Sequence, residues 1–172
     1  YGVFDKGEEE KAFSHLVRLI HAKDDTFDCG FIGMHCIFDV LSRFGESELA
    51  FKMITRDKFP SYTRLIDLGY TAITEHFRDQ MPDPSSANHH FLGDIARWFM
   101  MRLAGLNIID ANSVELSPCP VKDIDFAEAY YDLPKGRVSV RWAKDENGKV
   151  DVDYSAPAGV TVRYWNTSVD KT

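Results

Sequence analysis

Glu75 and His76 stand side by side, and Asn88, His89 and His90 follow after a segment carrying Asp79, Pro82, Asp83 and Pro84. A carboxylate and imidazoles gathered in this way can move protons, hydrogen-bond hydroxyls or ligate a metal ion. Metal ligation fits least, because adjacent His89 and His90 project about 100° apart on a helix and do not easily chelate one ion. No metal and no cofactor is implied. The same residues also fit a reading without chemistry: a capped helix start with solvated histidines, and Glu75 in a surface ion pair. Local pattern alone leaves that reading open.

The elements that must hold these residues show in the spacing of apolar side chains. From Glu8 to about Ala22, Ala12, Phe13, Leu16, Val17, Leu19 and Ile20 recur at helical spacing, and Glu8, Glu9 and Glu10 suit the positive end of a helix dipole. A loop with Asp24, Asp25 and Gly30 leads to a second helical stripe of Ile32, Cys36, Ile37, Val40, Leu41 and Phe44, stopped by Gly45. Ser47 is placed to cap a third helix through Leu49, Ala50, Met53 and Ile54, which ends at Lys58-Phe59-Pro60 because proline cannot donate the next backbone bond. Residues 60–80 read as irregular, and Pro82, Pro84, Ser85 and Ser86 as a loop. A strong helix is predicted from about Asn88 to Ala104, with Asn88 at its start, Phe91, Leu92, Ile95, Trp98, Phe99 and Leu103 on its apolar face, and Gly105 as its cap. Trp98 reads as core, and His15, His21 and His35 lie within helices with no assigned role.

Beyond Asn107 the period changes from 3.6 to 2. Val138, Val140 and Trp142 alternate with polar residues, Asn147-Gly148 marks a hairpin turn, and Val150, Val152 and Tyr154 alternate again, so two antiparallel strands are expected. Val160, Val162 and Tyr164 predict another strand, and Ile124 to Tyr131 an earlier one, with Trp142 and Trp165 in the core of a sandwich. A run of helices followed by a run of strands makes the fold class α+β. The helical pattern ends near residues 107–113, which divides the chain into a helical domain, 1–108, and a β domain, 109–172.

The whole chain has 172 residues, 44% of them hydrophobic and 27% charged, as in an ordinary globular protein. Its 20 Lys and Arg against 27 Asp and Glu give a net charge of -7, which argues against nucleic acid as a partner. The most apolar stretch, Phe91 to Ile109, is interrupted by Asp94, Arg97 and Arg102, so no membrane partner is expected. Cys29, Cys36 and Cys119 are odd in number and lack CxxC spacing, and read as free thiols. The start, Tyr1-Gly2-Val3-Phe4-Asp5, reads as the interior of a longer protein and assigns no compartment.

Four tracts change the weighting: Phe59-Pro60-Ser61-Tyr62, Gly69 through Phe77, Asn88-His89-His90-Phe91-Leu92-Gly93 with Trp98, and Ala104-Gly105-Leu106. In order and spacing they resemble the C-terminal half of the bacterial α-L-rhamnosidases. Ala127 to Tyr131, Pro134-Lys135-Gly136-Arg137-Val138 and Val140-Arg141-Trp142 resemble the small β-sandwich that closes those enzymes, so the resemblance runs roughly from Phe27 to Trp165. It implies part of an (α/α)6 toroid, whose inner helices line a sugar pocket, followed by an antiparallel β-sandwich. It also implies hydrolysis of terminal α-L-rhamnosides with inversion, in which one carboxylic acid protonates the leaving oxygen and a carboxylate roughly 6.5–9.5 Å away activates water.

By motif position Glu75 would be the general base and His89 would hydrogen-bond the rhamnose hydroxyls, with Tyr62 and His76 also at the sugar. Nothing in residues 1–58 matches the family's general-acid segment, and Asp24, Asp25 and Asp28 are loop acids, so the chain alone is expected to be inactive. Thr74 and Phe77 stand where the family usually has tryptophan, which allows the sugar to differ from rhamnose. The implied partner is a rhamnose-containing glycan or glycoside, and a truncated toroid would self-associate through exposed helix faces. The competing reading is a non-catalytic carbohydrate-binding or structural module. A concave, aromatic surface shared by Glu75 and His89 favours the enzyme, and a convex one with Glu75 facing bulk solvent favours the module.

Overall fold

The computed structural model describes residues 4, 5, 7–77 and 86–164. Trp165 and the proposed loop residues Asp79, Pro82, Asp83, Pro84 and Ser85 lie outside the described residues. Among the described residues five helices come first: α1 (Glu9–Ala22), α2 (Phe31–Arg43), α3 (Ser47–Thr55), α4 (Tyr62–Asp67) and α5 (Ile95–Trp98), the last continuing into a π-helical turn over Phe99–Leu103. Six strands follow: β1 (Leu106–Asp110), β2 (Ser113–Leu116), β3 (Phe126–Leu133), β4 (Gly136–Lys144), β5 (Val150–Ser155) and β6 (Thr161–Tyr164).

The two helical stripes read from the sequence meet where α2 packs on α3. Phe38 and Leu41 from α2 and Ala50, Met53 and Ile54 from α3 are buried together with Trp98 of α5. The indole N–H of Trp98 donates to Ser42 Oγ at 2.8 Å, so its one polar group is satisfied inside this core. The Asp24–Asp25 corner between α1 and α2 is tied back onto the end of α3. The Lys52 ammonium beside Asp25 holds that carboxyl below its ordinary range, and Arg56 Nη2 donates to Asp24 Oδ2 at 3.0 Å.

Local chemistry moves three helix boundaries from their predicted places. Ser47 is the first helical residue of α3, not its side-chain cap, and α3 ends at Thr55, before Lys58. The irregular stretch after Pro60 holds α4, capped by Ser61: its Oγ accepts from Arg64 N at 3.1 Å and donates to Arg56 O at 2.6 Å. The helix expected from Asn88 begins only at Ile95. Its first residues are claimed by other partners, because His89 N donates to Ile73 O at 2.8 Å and Gly93 N closes a turn onto His90 O at 2.9 Å.

That last helix widens at its end. Ala104 N donates to Phe99 O and Gly105 N to Met100 O, each five residues back, so one extra residue is accommodated before the chain leaves for β1. Gly105 has φ +91, and a Cβ there would lie 2.3 Å from Pro118 N. Only glycine both adopts this backbone and lets the chain after β2 pass so close.

The strands form two three-stranded sheets, ordered β1-β2-β6 and β3-β4-β5. The β3-β4-β5 sheet is antiparallel throughout, and Gly148 at φ +79 turns β4 into β5 as the Asn-Gly signal predicted. The other sheet is mixed: β1 pairs antiparallel with β2, but β6 runs parallel to β2, with Val114 opposite Val162. The sheets are those of the expected small sandwich, antiparallel except where β6 joins β2, since period-2 spacing fixes faces and not strand direction.

Trp142 is fully buried, yet its place also differs from the expectation. It packs in the core shared with the helices, and its indole N–H donates to the Leu103 carbonyl at 2.6 Å, across the joint between the π-helical turn and β4. The core between the sheets is made instead by Leu106, Val114, Leu116, Leu133, Val138 and Val140.

Candidate functional site

The segment holding Glu75 is built by short-range hydrogen bonds. Buried Thr74 donates its hydroxyl to His76 O at 2.6 Å, which folds the chain tightly around Glu75. Glu75 N donates to Ser86 O at 2.9 Å, and together with the bond from His89 N to Ile73 O this pairs residues 73–75 with residues 86–89. The two tracts singled out in the sequence therefore lie side by side. Ser86 N also approaches Glu75 Oε2 at 3.4 Å, a long contact that steadies the carboxylate without shielding it.

Glu75 is not buried, and among the described residues it enters no tight ion pair. Its side chain is 37% exposed, and its ionic neighbour among the described residues is His76, with Nε2 3.9 Å from Oε1. At that separation the imidazole leaves the carboxylate free to accept a proton from water. His89 is oriented by its own loop, since Phe91 N donates to His89 Nδ1 at 3.3 Å. With Nδ1 accepting, the neutral ring carries its proton on Nε2, a donor suited to a hydroxyl. His89, His90 and Phe91 pack ring against ring, with centroids 4.1–5.4 Å apart.

Tyr62 supports this loop from beneath. Its ring packs among Phe27, Phe38 and Phe77, and its hydroxyl donates to Leu92 O at 2.8 Å. Burial, helped by the negative charge of Asp94, pushes the phenol above its ordinary pKa, so the group stays a neutral donor. Tyr62→Phe is expected to lower stability by about 1 kcal/mol, the usual worth of one such bond. Urea unfolding reads this directly, and an unchanged midpoint would show that the bond to Leu92 contributes nothing. Phe77 and Thr74, where an aromatic wall was in question, are both turned to structural use: Phe77 packs on Phe27 and Tyr62, and Thr74 closes the turn described above.

Two depressions open nearby. One, of about 600 Å³, is bounded by Phe31, Ile32 and His35 of α2 and by His90, Phe91, Asp94 and Arg97 beside α5. The other, of about 340 Å³, is apolar and lies between α3, α4 and residues 70–73, with Tyr62, Ile66 and Phe99 on its walls. Neither Glu75 nor His89 borders them, but the first adjoins the His89–Phe91 ring stack. The cavity at Phe31 was not foreseen. The second helical stripe begins at Ile32 and leaves Phe31 out, yet both residues open α2 as exposed apolar side chains ahead of its buried part.

Comparison with known proteins matches two stretches of the chain. Residues 1–103 match the bacterial alpha-L-rhamnosidase 6 hairpin glycosidase domain, and residues 112–167 match the bacterial alpha-L-rhamnosidase C-terminal domain. An alpha-L-rhamnosidase of Streptomyces avermitilis is 30% identical over 163 residues, covering 90% of this chain and 16% of that protein. One of Alteromonas sp. is 24% identical over 173 residues, covering 95% of this chain and 19% of that protein. Among solved structures, the S. avermitilis enzyme complexed with L-rhamnose superposes with a TM-score of 0.80 at 28% identity, over 88% of this chain and 16% of the other. The Aspergillus terreus α-L-rhamnosidase gives a TM-score of 0.85 at 22% identity, over 93% of this chain and 20% of the other, a likeness of fold. The chain thus spans between a sixth and a fifth of the length of these relatives. With a six-hairpin helical part and a closing β part both matched, it belongs to the bacterial α-L-rhamnosidase family.

Proposed function

We propose that this chain forms part of the catalytic unit of an inverting glycoside hydrolase that cleaves terminal α-L-rhamnosides, with Glu75 as the general base. One observation supports the reading: residues 73–75 pair with residues 86–89, so the segment that carries a solvent-accessible carboxylate runs alongside the segment that carries a histidine whose Nε2 can donate. Base catalysis needs a carboxylate that water can reach, and sugar binding needs donors held in fixed tautomers. His89 hydrogen-bonds ring hydroxyls, His76 stands at the rim of the base, and Tyr62 holds the loop that carries His89. Inversion requires a second carboxyl roughly 6.5–9.5 Å from the first, across a water, and since nothing in residues 1–58 matches the family's general-acid segment, the acid is supplied from outside this chain.

The test uses the intact protein that contains this chain, 4-nitrophenyl α-L-rhamnoside, and a panel of other 4-nitrophenyl glycosides. Proton NMR of the first turnovers is expected to show β-L-rhamnose before mutarotation. The α anomer appearing first would refute a base mechanism at Glu75. Cleavage of another glycoside in preference to rhamnoside would move the sugar assignment away from rhamnose, an outcome to which Thr74 and Phe77 are relevant because neither supplies an aromatic wall.

A further inference from the structure

Among the described residues, Glu75 has no short hydrogen bond that fixes where its carboxylate points. Its contacts there are Ser86 N, 3.4 Å from Oε2, and His76 Nε2, 3.9 Å from Oε1, both longer than a well-formed hydrogen bond. A general base must nevertheless be aimed, because a displacement of about 1 Å costs on the order of 10²-fold in rate. The aim therefore falls on the backbone that carries Glu75, which is held at three points. Ile73 O accepts from His89 N at 2.8 Å, Glu75 N donates to Ser86 O at 2.9 Å, and the Thr74 hydroxyl donates to His76 O at 2.6 Å. The first two fix the line of the chain against residues 86–89. The third spans Glu75 itself, closing a small ring from the residue before it to the residue after it, and so limits the backbone torsions of Glu75 and His76.

Thr74 is suited to hold that bond. It is fully buried, while Glu75 and His76 beyond it reach solvent. Its branched Cβ leaves few side-chain rotamers, and burial removes the water that would compete for the hydroxyl. Threonine is also where this chain departs from the tryptophan usual in the family, and an indole ring in that place has no hydroxyl with which to make the bond. We propose that Thr74 is a positioning residue for the base: through its bond to the His76 carbonyl it sets the direction of the Glu75 carboxylate toward the water it activates. The inference rests on the role proposed for Glu75, and adds to it a buried residue that acts only through the residue it precedes.

The test measures kcat and KM on 4-nitrophenyl α-L-rhamnoside for the intact protein and for Thr74→Val, Thr74→Ser, Glu75→Gln and the double variant Glu75→Gln with Thr74→Val. Valine keeps the shape of threonine and removes the donor. Thr74→Val is expected to lower kcat about ten- to hundredfold with KM within about twofold of wild type, and Thr74→Ser, which keeps the hydroxyl, to recover most of that rate. The double variant is expected to be no slower than Glu75→Gln alone, because no base is left to aim. A kcat for Thr74→Val within about twofold of wild type would overturn the inference, as would a Thr74→Ser as slow as Thr74→Val. An equal loss from Thr74→Val in both backgrounds, or a rise in KM without a fall in kcat, would also overturn it, since a merely structural threonine acts whether or not the base is present. Should Thr74→Val fail to fold, Thr74→Cys, with its weaker donor, takes its place in the same comparison. A wild-type rate in Glu75→Gln removes the base and this inference with it. A slow Glu75→Gln beside an unimpaired Thr74→Val keeps the base and removes only the positioning role.

Discussion

Glu75→Gln is expected to lower kcat of the intact protein on aryl α-L-rhamnosides by about 10²–10⁴, the range that positioned acid–base groups supply, while KM stays within a few-fold of wild type. The amide matches the carboxylate in size and can keep the long contact from Ser86 N, so the fold has no reason to change. What it cannot do is take the proton from the attacking water. The leaving group then provides a second signature. A 4-nitrophenolate departs without help, so loss of a general acid would spare the 4-nitrophenyl substrate and penalise the methyl one. Loss of the base removes nucleophile activation, which both substrates need, and so both rates fall together. A loss confined to methyl rhamnoside would reassign Glu75 as the acid, and a rate within threefold of wild type on both would remove it from the mechanism. His89→Ala is the natural contrast, because a residue that binds sugar hydroxyls raises KM more than it lowers kcat.

The parts of this picture that the sequence carried are those in which one residue's chemistry decides a local outcome. Gly45 and Gly105 at the ends of helical stripes, Asn147-Gly148 between alternating runs, and the burial of Leu41, Met53 and Trp98 follow from side-chain size, backbone freedom and period. What the sequence did not carry depends on partners far along the chain. The helix predicted from Asn88 starts late because His89 N bonds to Ile73, and no local feature of Asn88-His89-His90 announces that partner. Strand β6 runs parallel to β2 because of how residues 155–161 are routed, which alternation alone does not encode. Trp142 looked like sheet core because it alternates with polar residues, yet the helical turn at Leu103 caps its indole. Ser61 as a helix cap was legible in principle, since a serine followed by a helical turn is a standard N-cap signal, but the proline before it masked the start. For the site, residue types and order pointed to Glu75 and His89. The Phe31–Phe91 pair required the fold, because Phe31 opens α2 and Phe91 lies in the turn before α5, far apart in sequence.

Arg102 joins the two halves of the molecule, and its loss is expected to be the most damaging single change outside the site. Its side chain is 3% exposed and sits in the π-helical turn, where Nε donates to Asp39 Oδ1 of α2 at 2.5 Å and Nη1 donates to Ser117 Oγ at 3.1 Å. Its carbonyl accepts from Cys119 N at 2.9 Å, so backbone and side chain both reach the segment that follows β2. Arg102→Met keeps the aliphatic stem and removes the charge, leaving buried Ser117 without that donor and Asp39 with Arg43, whose Nε lies 3.6 Å away, as an ionic neighbour among the described residues. Breaking one side of a buried pair costs about 3–5 kcal/mol, and the contact with Arg43 together with the partial exposure of Asp39 places the expected value near the lower end, about 3 kcal/mol. For a chain of this size that corresponds to a fall of roughly 6–12 °C in the unfolding temperature. A double-mutant cycle with Asp39→Asn separates the pair from simple loss of packing: a coupling above about 1 kcal/mol locates the effect in the Arg102–Asp39 contact, whereas strictly additive losses would place it in the Ser117 and backbone contacts instead. An unfolding temperature within 1 °C of wild type in Arg102→Met would mean that the joint between helices and sheets is held by Trp142 and its bond to Leu103 rather than by this ion pair.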